Sequence, residues 1–257
     1  MTVHRFAMLL AAATLAGCAS IPAAEQSAAG PNQLTAAERA GGWQLLFDGR
    51  TFAGWRGLGY DSVPTAHWKI VDGSIMKIGS RDVPKMPDGQ PAEGGDLMTT
   101  GTYRDFELAF QWKLPPGANS GVKYNVDEAI SMKSSNHAAL GFEYQVLDDS
   151  LHSDNKIPSH RAASLYDLIP SDATKYLRRG EWNDSRIVVR GNHGEHWING
   201  VMVVSYELGS PRMNELVARS KYRSIAGFAD HRAGHIVIQD HTDPAWYRSI
   251  KLRPVAP

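Results

Sequence analysis

The chain has 257 residues, and its 27 Lys and Arg residues balance its 27 Asp and Glu residues. A chain without excess positive charge lacks the long-range field that attracts a polyanion, so we expect no nucleic-acid partner. The single cysteine, Cys18, excludes an internal disulfide, and the stability of the fold must therefore come from its core.

The first residues have the pattern of an export signal. A short basic start precedes an apolar run from Phe6 to Ala16, which is long enough for a signal-peptide core and too short for a membrane span. The run ends in Leu15-Ala16-Gly17-Cys18. This stretch resembles a bacterial lipobox, in which the cysteine is lipidated after cleavage. We therefore expect residues 1–17 to be a signal peptide and Cys18 to be a lipid anchor.

A lipid anchor predicts a location in the cell envelope, on the periplasmic side of a membrane. Ala19 follows the cysteine, instead of the Asp that commonly retains lipoproteins at an inner membrane, so an outer membrane is favoured. Residues 18–33 are small and polar and are expected to form a flexible tether. Residues 34–257 suit a single domain.

Most of this domain has the pattern of β-strands. Residues 34–40 carry a capping box for one short helix, with Thr35 as N-cap and Glu38 three residues later. Short segments with two-residue alternation follow, which predicts an all-β sandwich or jelly roll. The predicted strands are Trp43–Phe47, Trp68–Val71, Ser74–Ile78, Leu97–Thr99, Phe106–Leu114, Gly121–Asn125, Gly141–Leu147, Arg186–Arg190, Glu195–Ile198, Val201–Tyr206, Ser224–Phe228, His235–Gln239 and Tyr247–Leu252.

Turns and loops interrupt the strands at recognisable places. Asn199-Gly200 lies between two alternating segments and predicts a type I′ hairpin turn. Residues 79–95 and 148–180 are too rich in Pro, Gly and Ser for strands, and we expect loops there, the second with a function. His193 and His196 lie beside the hairpin, where we expect solvated surface and no metal pair.

Several fragments in a fixed order resemble one protein family. They are Gly42–Trp55, Tyr103–Leu108, Ala118–Val122, Gly141–Asp148, Glu181–Asn183, Trp197–Gly200 and Ile238–His241. Together they are similar to the 3-keto-disaccharide hydrolase domain family over roughly residues 42–254. The resemblance implies a concanavalin-like jelly roll of two curved antiparallel sheets, secretion, and action on glycosides whose glucose unit is oxidised to a 3-ketone.

The predicted strand around Glu143 has one polar face. Glu143 and Gln145 point to one side, whereas Tyr144 and Val146 point to the other. The apolar side should pack into the core, so we expect Glu143 and Gln145 on the concave, solvent-exposed face, where jelly-roll carbohydrate enzymes place their sites. The remaining substrate-binding candidates are Asn119, Ser120, Lys123 and Gln239.

Two further side chains are candidates for proton transfer. Asp148 opens the loop 148–180 and could supply a second acid or, with neighbouring acidic residues and His152, a ligand for a divalent cation. His241 follows the strand His235–Gln239, and the family resemblance places it beside Glu143. A histidine titrates near neutral pH, which suits an acid partner, although a hydrogen-bonded structural histidine is the alternative.

These residues suit the cleavage of a 3-keto-glycoside. A ketone at C3 acidifies the C2 proton, so Glu143 could remove it, and the enolate could expel the C1 oxygen before water adds to the enone. Lys123, Gln145, Gln239 or a divalent cation would hold the enolate oxygen. Direct hydrolysis by Glu143 and Asp148 is the alternative reaction. A lectin-like binding module without catalysis and a structural envelope lipoprotein are the alternative functions.

Overall fold

The computed structural model describes residues 30–133 and 138–257. The predicted signal peptide and Cys18 lie outside these residues. The helices are α1 (Ala36–Ala40), α2 (Glu128–Lys133) and α3 (Pro211–Arg219). The strands are β1 (Gln44–Leu45), β2 (Trp55–Gly57), β3 (Trp68–Val71), β4 (Ser74–Lys77), β5 (Leu97–Thr99), β6 (Phe106–Lys113), β7 (Asn119–Val126), β8 (Phe142–Leu147), β9 (Asn183–Arg190), β10 (His193–Ile198), β11 (Val201–Glu207), β12 (His235–Ile238) and β13 (Ala245–Pro254).

The strands form two antiparallel sheets. The large sheet has the order β11-β10-β9-β6-β13-β4-β3, with β1 paired to β13, and the small sheet has the order β2-β5-β12-β7-β8. In β6 the side chains of Phe106, Leu108, Phe110 and Trp112 point into the core between the sheets. Burial of such apolar area is the main stabilising contribution. The predicted all-β fold of two antiparallel sheets is confirmed.

The small sheet is buried on both faces. One face packs on the main core, and the other carries a second apolar cluster. Its members are Leu58, Met98, Val126, Ala139 and Val237, with Met132 of α2 packed against them. All residues of β7 and β8 are buried. Our expectation that one face of these strands is open to solvent was wrong, because segments from other parts of the chain cover it.

Local predictions agree with the structure in part. The Asn199-Gly200 turn is confirmed, with φ of 47° and 85° at the two residues. The two predicted loops contain only short 3₁₀ turns and isolated bridges. The predicted strand Ser224–Phe228 is wrong, because this segment is a turn after α3. Helix α3 was missed, although its start has a clear pattern: Ser210 accepts the Met213 N–H, and a proline occupies the first turn.

Candidate active site

Glu143 lies in a row of side chains that crosses the small sheet. In β8, Glu143 and Gln145 alternate with Tyr144 and Val146, and the latter two belong to the core, as predicted. The register pairs Glu143 with Lys123 of β7. Directly opposed residues on neighbouring strands project to the same face, so these two side chains lie side by side.

The Glu143 carboxylate is buried among polar groups. The residue is only 3% exposed. Its Oε2 atom lies 4.0 Å from Lys123 Nζ, and its Oε1 atom lies 3.2 Å from the side-chain amide of Gln145. A buried carboxylate needs such partners, because its desolvation is otherwise costly.

Lys123 connects Glu143 to a second buried carboxylate. Its ammonium group donates to Ala139 O at 3.1 Å and lies 3.8 Å from Asp96 Oδ2. Asp96 also accepts the backbone N–H groups of Ala139 at 2.9 Å and Asp240 at 2.7 Å. One cation thus lies between two carboxylates at the floor of the site.

Asn119 extends the polar group along β7. Its Oδ1 atom lies 3.0 Å from the amide of Gln145, and its Nδ2 atom lies 3.5 Å from Asp154 Oδ2. Its backbone N–H donates to Asp243 Oδ2 at 3.1 Å. The structure therefore brings the predicted residues Asn119 and Gln145 together with Glu143, and it adds two carboxylates that sequence reasoning did not select.

His241 belongs to the same neighbourhood. Burial lowers its pKa, against the opposing effects of the nearby Asp243 and Glu143 carboxylates. Its Nδ1 atom lies 4.0 Å from Asp243 Oδ2. Asp243 thus connects His241 to Asn119 of the Glu143 group. Because its pKa is lowered, His241 is mostly neutral at pH 7.

The segment before His241 is firmly held. Asp240 lies 2.9 Å from the ammonium of the fully buried Lys77 and 2.8 Å from His67 Nδ1. The backbone N–H of Gln239 donates to Gly121 O at 2.9 Å. The side-chain oxygen of Gln239 is buried and has no hydrogen-bond partner in the described part of the chain. It remains available to a ligand hydroxyl.

Asp148 is not brought into this group. Its carboxylate accepts the backbone N–H groups of Gly117 at 2.7 Å and Ser150 at 3.0 Å. Burial alone would raise its pKa, but these hydrogen bonds lower it overall. The residue lines a separate cavity of about 280 Å³ beside Trp112 and Leu151. Asp148 therefore shapes the start of the loop, and its predicted role as the second acid does not fit.

Ser120 also departs from its predicted role. It is fully buried, and its hydroxyl accepts a hydrogen bond from Tyr247 at 2.7 Å inside the core. The reason is strand alternation: Ser120 shares the inward phase of Val122 and Tyr124. Only Asn119 and Lys123, in the opposite phase, reach the Glu143 face.

The loop 148–180 contributes residues that the sequence did not single out. Its residues 163–166 hydrogen-bond along the free edge of β8, where Ala163 N–H donates to Gln145 O at 2.8 Å and Tyr166 N–H donates to Glu143 O at 3.0 Å. Tyr166 and the more distant Lys221 thereby join the site. The only sequence signal for Tyr166 was that the loop as a whole is long and polar, and Lys221 lies outside that loop, in the segment after α3.

The described part of the chain was searched for side chains that could hold a metal ion. Within residues 30–133 and 138–257 no group of three or more His, Cys, Asp or Glu side chains is arranged to hold a metal ion. Asp149, near the start of the loop, accepts the Ala162 N–H at 2.8 Å and the Thr174 hydroxyl at 2.6 Å.

His196 was expected on the surface and is instead fully buried, because it alternates to the core side of β10.

The Glu143 face carries no tryptophan platform. Of the seven Trp residues, three pack in the core: Trp55, Trp68 and Trp112. The other four stack against Lys or Arg side chains of the large sheet: Trp43, Trp182, Trp197 and Trp246. A tryptophan platform of the kind that a lectin-like module could use is therefore absent from this face in the described part of the chain.

Comparison with known proteins identifies the family. Residues 42–253 match the model of the 3-keto-alpha-glucoside-1,2-lyase-like domain. A 3-keto-disaccharide hydrolase of Bacteroides thetaiotaomicron is 35% identical in an alignment of 234 residues that covers 83% of this chain and 79% of that protein. Both matches span most of the chain.

Solved structures agree with this match. A candidate glycosyl hydrolase from Parabacteroides distasonis has a TM-score of 0.75 and 25% sequence identity, and covers 88% of this chain and 100% of its own. Another from the same organism has a TM-score of 0.62 and 23% identity, and covers 83% and 99%, which supports the fold alone. The chain therefore belongs to the family of 3-keto-alpha-glucoside-1,2-lyase-like domains and is a carbohydrate-active enzyme.

Proposed function

We propose that this enzyme cleaves 3-keto-glucosides by removal of the C2 proton and elimination of the C1 oxygen. The observation that carries the proposal is the buried Glu143 carboxylate, which lies 4.0 Å from the ammonium of Lys123. Asp243 bonds to the backbone of Asn119 in the same group and lies 4.0 Å from His241. The 3-keto-disaccharide hydrolase that is 35% identical supports this substrate class.

Glu143 is the base in this mechanism. A C3 ketone makes the C2–H bond acidic, so one carboxylate suffices to take the proton and form an enolate. The C1–O bond then breaks, and the leaving oxygen receives a proton from His241. Water adds across the C1–C2 double bond, with hydroxide to C1 and a proton to C2. The net result is hydrolysis.

Cationic and amide groups around Glu143 suit the charge that develops. The Lys123 ammonium and the Gln145 side-chain amide lie next to the carboxylate and are the hydrogen-bond donors of this group. Donors fixed before the reaction stabilise an oxyanion at little reorganisation cost. The substrate hydroxyls would bond to Asn119 and Gln239.

Direct hydrolysis by two carboxylates is the second candidate reaction. Asp154, 3.5 Å from Asn119, would be the partner of Glu143 in place of Asp148. This reaction needs no ketone, so the two mechanisms differ in substrate as well as in residues.

The test compares wild type with Glu143→Gln on a chromogenic 3-keto-glucoside and on the unoxidised glucoside. We expect wild type to turn over the 3-keto-glucoside and not the unoxidised glucoside. In Glu143→Gln this turnover should fall by about 100- to 10,000-fold, because the base is removed while the shape of the side chain is kept. Glu207→Gln, on the exposed side of β11, is the matched control. Retained turnover in Glu143→Gln, or cleavage of the unoxidised glucoside, would contradict the proposal.

We also propose that the mature protein is held at the periplasmic side of a membrane, with the outer membrane favoured, by acyl chains on Cys18. The lipobox pattern supports this proposal. Cys18→Ala should move the protein from the membrane fraction to the soluble fraction with its activity intact. Membrane association that survives a salt and carbonate wash in this variant would rule out the anchor.

A further inference from the structure

Tyr166 is the next side chain to Glu143 in the row that begins at Lys123. A bridge pairs Tyr144 with Leu165, and the Tyr166 N–H donates to Glu143 O at 3.0 Å. Tyr166 is therefore opposite Glu143 across an antiparallel pair. Opposed side chains share a face, with about 5 Å between their Cβ atoms.

The Tyr166 ring is held between two groups. The His160 ring stacks on it with centroids 4.2 Å apart, and the Lys221 ammonium lies 4.0 Å from its centre. Asp167 connects both groups: its carboxylate accepts from His160 Nε2 at 3.0 Å and from the Lys221 N–H at 2.6 Å. One carboxylate thus ties the loop and the segment after α3 to the ring.

The backbone at this point is also unusual. Asp167 has a φ of 60°, in the left-handed region that non-glycine residues seldom occupy. Such conformations persist where the surrounding structure holds them, and they are concentrated at functional sites. Here the two hydrogen bonds of the Asp167 side chain supply the restraint.

The Tyr166 hydroxyl is available to a ligand. The residue is half-buried, and its hydroxyl makes no hydrogen bond within the part of the chain that the structure describes. Burial and the nearby Glu143 carboxylate raise the pKa of Tyr166. The phenol therefore stays neutral and keeps a proton that it can donate in a hydrogen bond, next to the position where the base would act.

We propose that Tyr166 is a further catalytic residue, whose hydroxyl donates a hydrogen bond to the C3 oxygen of the substrate as the enolate forms. Asp167 is its positioning residue and acts through His160 and Lys221. No bond to Tyr166 forms or breaks: the C2 proton goes to Glu143, and the charge left on the C3 oxygen is stabilised by the phenol. This inference rests on the proposed function.

The test uses 3-keto-glucose, which has no leaving group other than water, and follows exchange of its C2 proton with deuterated solvent by NMR. We expect Tyr166→Phe to slow exchange by about 100-fold, the usual effect of removing one oxyanion donor. Tyr176→Phe, in the same loop with its ring against Lys175, is the matched control and should exchange at the wild-type rate. The melting temperature of Tyr166→Phe should be unchanged, because its hydroxyl has no partner to lose.

A double-mutant cycle separates positioning from a merely structural role. Asp167→Asn should slow exchange in the wild-type background and add little in the Tyr166→Phe background, because it acts through that hydroxyl. Fully additive effects would remove Asp167 from the proposal. If Tyr166→Phe exchanges the C2 proton as fast as Tyr176→Phe, the role of Tyr166 is overturned and the proposed function still stands. If wild type neither exchanges the proton nor cleaves the keto-glucoside, the proposed function is overturned as well.

Discussion

The Glu143 carboxylate occupies the space that a side chain at Gly121 would need. A β-carbon at Gly121 would lie 2.5 Å from Glu143 Oε1 and 3.1 Å from its Cδ. The backbone of Gly121 is outside the left-handed region, so the glycine is required by space and not by conformation. The glycine thus determines where the carboxylate lies.

We expect Gly121→Ala to displace Glu143 and to lower kcat on a 3-keto-glucoside by about 100-fold, the cost of a misplacement near 1 Å. Gly101→Ala is the control, because that glycine is also outside the left-handed region and its new methyl would meet only the Tyr103 ring and hydroxyl. Steady-state kinetics of the two folded variants give the comparison. A fully active Gly121→Ala protein would show that the carboxylate has no fixed position in catalysis.

If His241 is the acid, kcat should depend on pH. Burial lowers its pKa below the ordinary value of 6.5, so its protonated form is populated only at more acidic pH. Activity that needs this form should be high on the acidic side and decline as the pH rises through a value below 6.5. The kcat–pH profile should lose this decline in His241→Gln. A wild-type profile that rises between pH 6 and 8 would exclude protonated His241 as the acid.

Asp148→Asn tests whether Asp148 acts together with Glu143 in catalysis, which is the alternative from the sequence analysis. We expect near wild-type turnover, because Asp148 bonds to Gly117 and Ser150 and not to the Glu143 group. Loss of charge-assisted hydrogen bonds should lower the free energy of unfolding by about 1–3 kcal/mol. Urea unfolding and kinetics measure both effects. A stable but inactive Asp148→Asn protein would restore the two-carboxylate mechanism with this residue.

The burial of His196 predicts that the free energy of unfolding falls at acidic pH. It is fully buried, accepts from the Tyr124 hydroxyl at 2.8 Å and donates to Ala163 O at 3.0 Å. Burial lowers its pKa from 6.5 to about 4. The neutral form is favoured in the folded state, so this stability is complete above pH 6.5 and is lost as the pH falls toward 4.

The size of that loss is roughly 3 kcal/mol at most, since one pKa unit corresponds to about 1.4 kcal/mol. Urea unfolding at pH 7 and pH 4 measures it, and His196→Gln should show a smaller difference between the two pH values. His193→Gln on the same strand is the opposite case: the hydrogen bond to Glu207 raises the pKa of His193, so this histidine stabilises the fold at acidic pH and its replacement should not reduce the difference. Equal pH dependence in wild type and His196→Gln would contradict the prediction.

Local sequence pattern determined which side chains share a face. The two-residue period of a strand placed Glu143 with Gln145, and Asn199-Gly200 specified its own turn, because both depend only on neighbouring residues. The same period, applied to Val122 and Tyr124, would also have turned Ser120 toward the core. The family resemblance predicted His241 beside Glu143, and this stays a prediction.

Only the tertiary structure decided how the face is covered and which loop residues reach it. Glu143 is buried among groups that the fold brings from other segments, such as Lys123 of β7 and the residues 163–166 along the edge of β8, and no strand pattern records such neighbours. Asp154 and Asp148 lie in one loop with similar sequence surroundings, yet only the fold places Asp154 beside Asn119. Tyr166 and Lys221 meet through Asp167 although they are far apart in the chain, since long-range packing, and not local propensity, fixes such contacts.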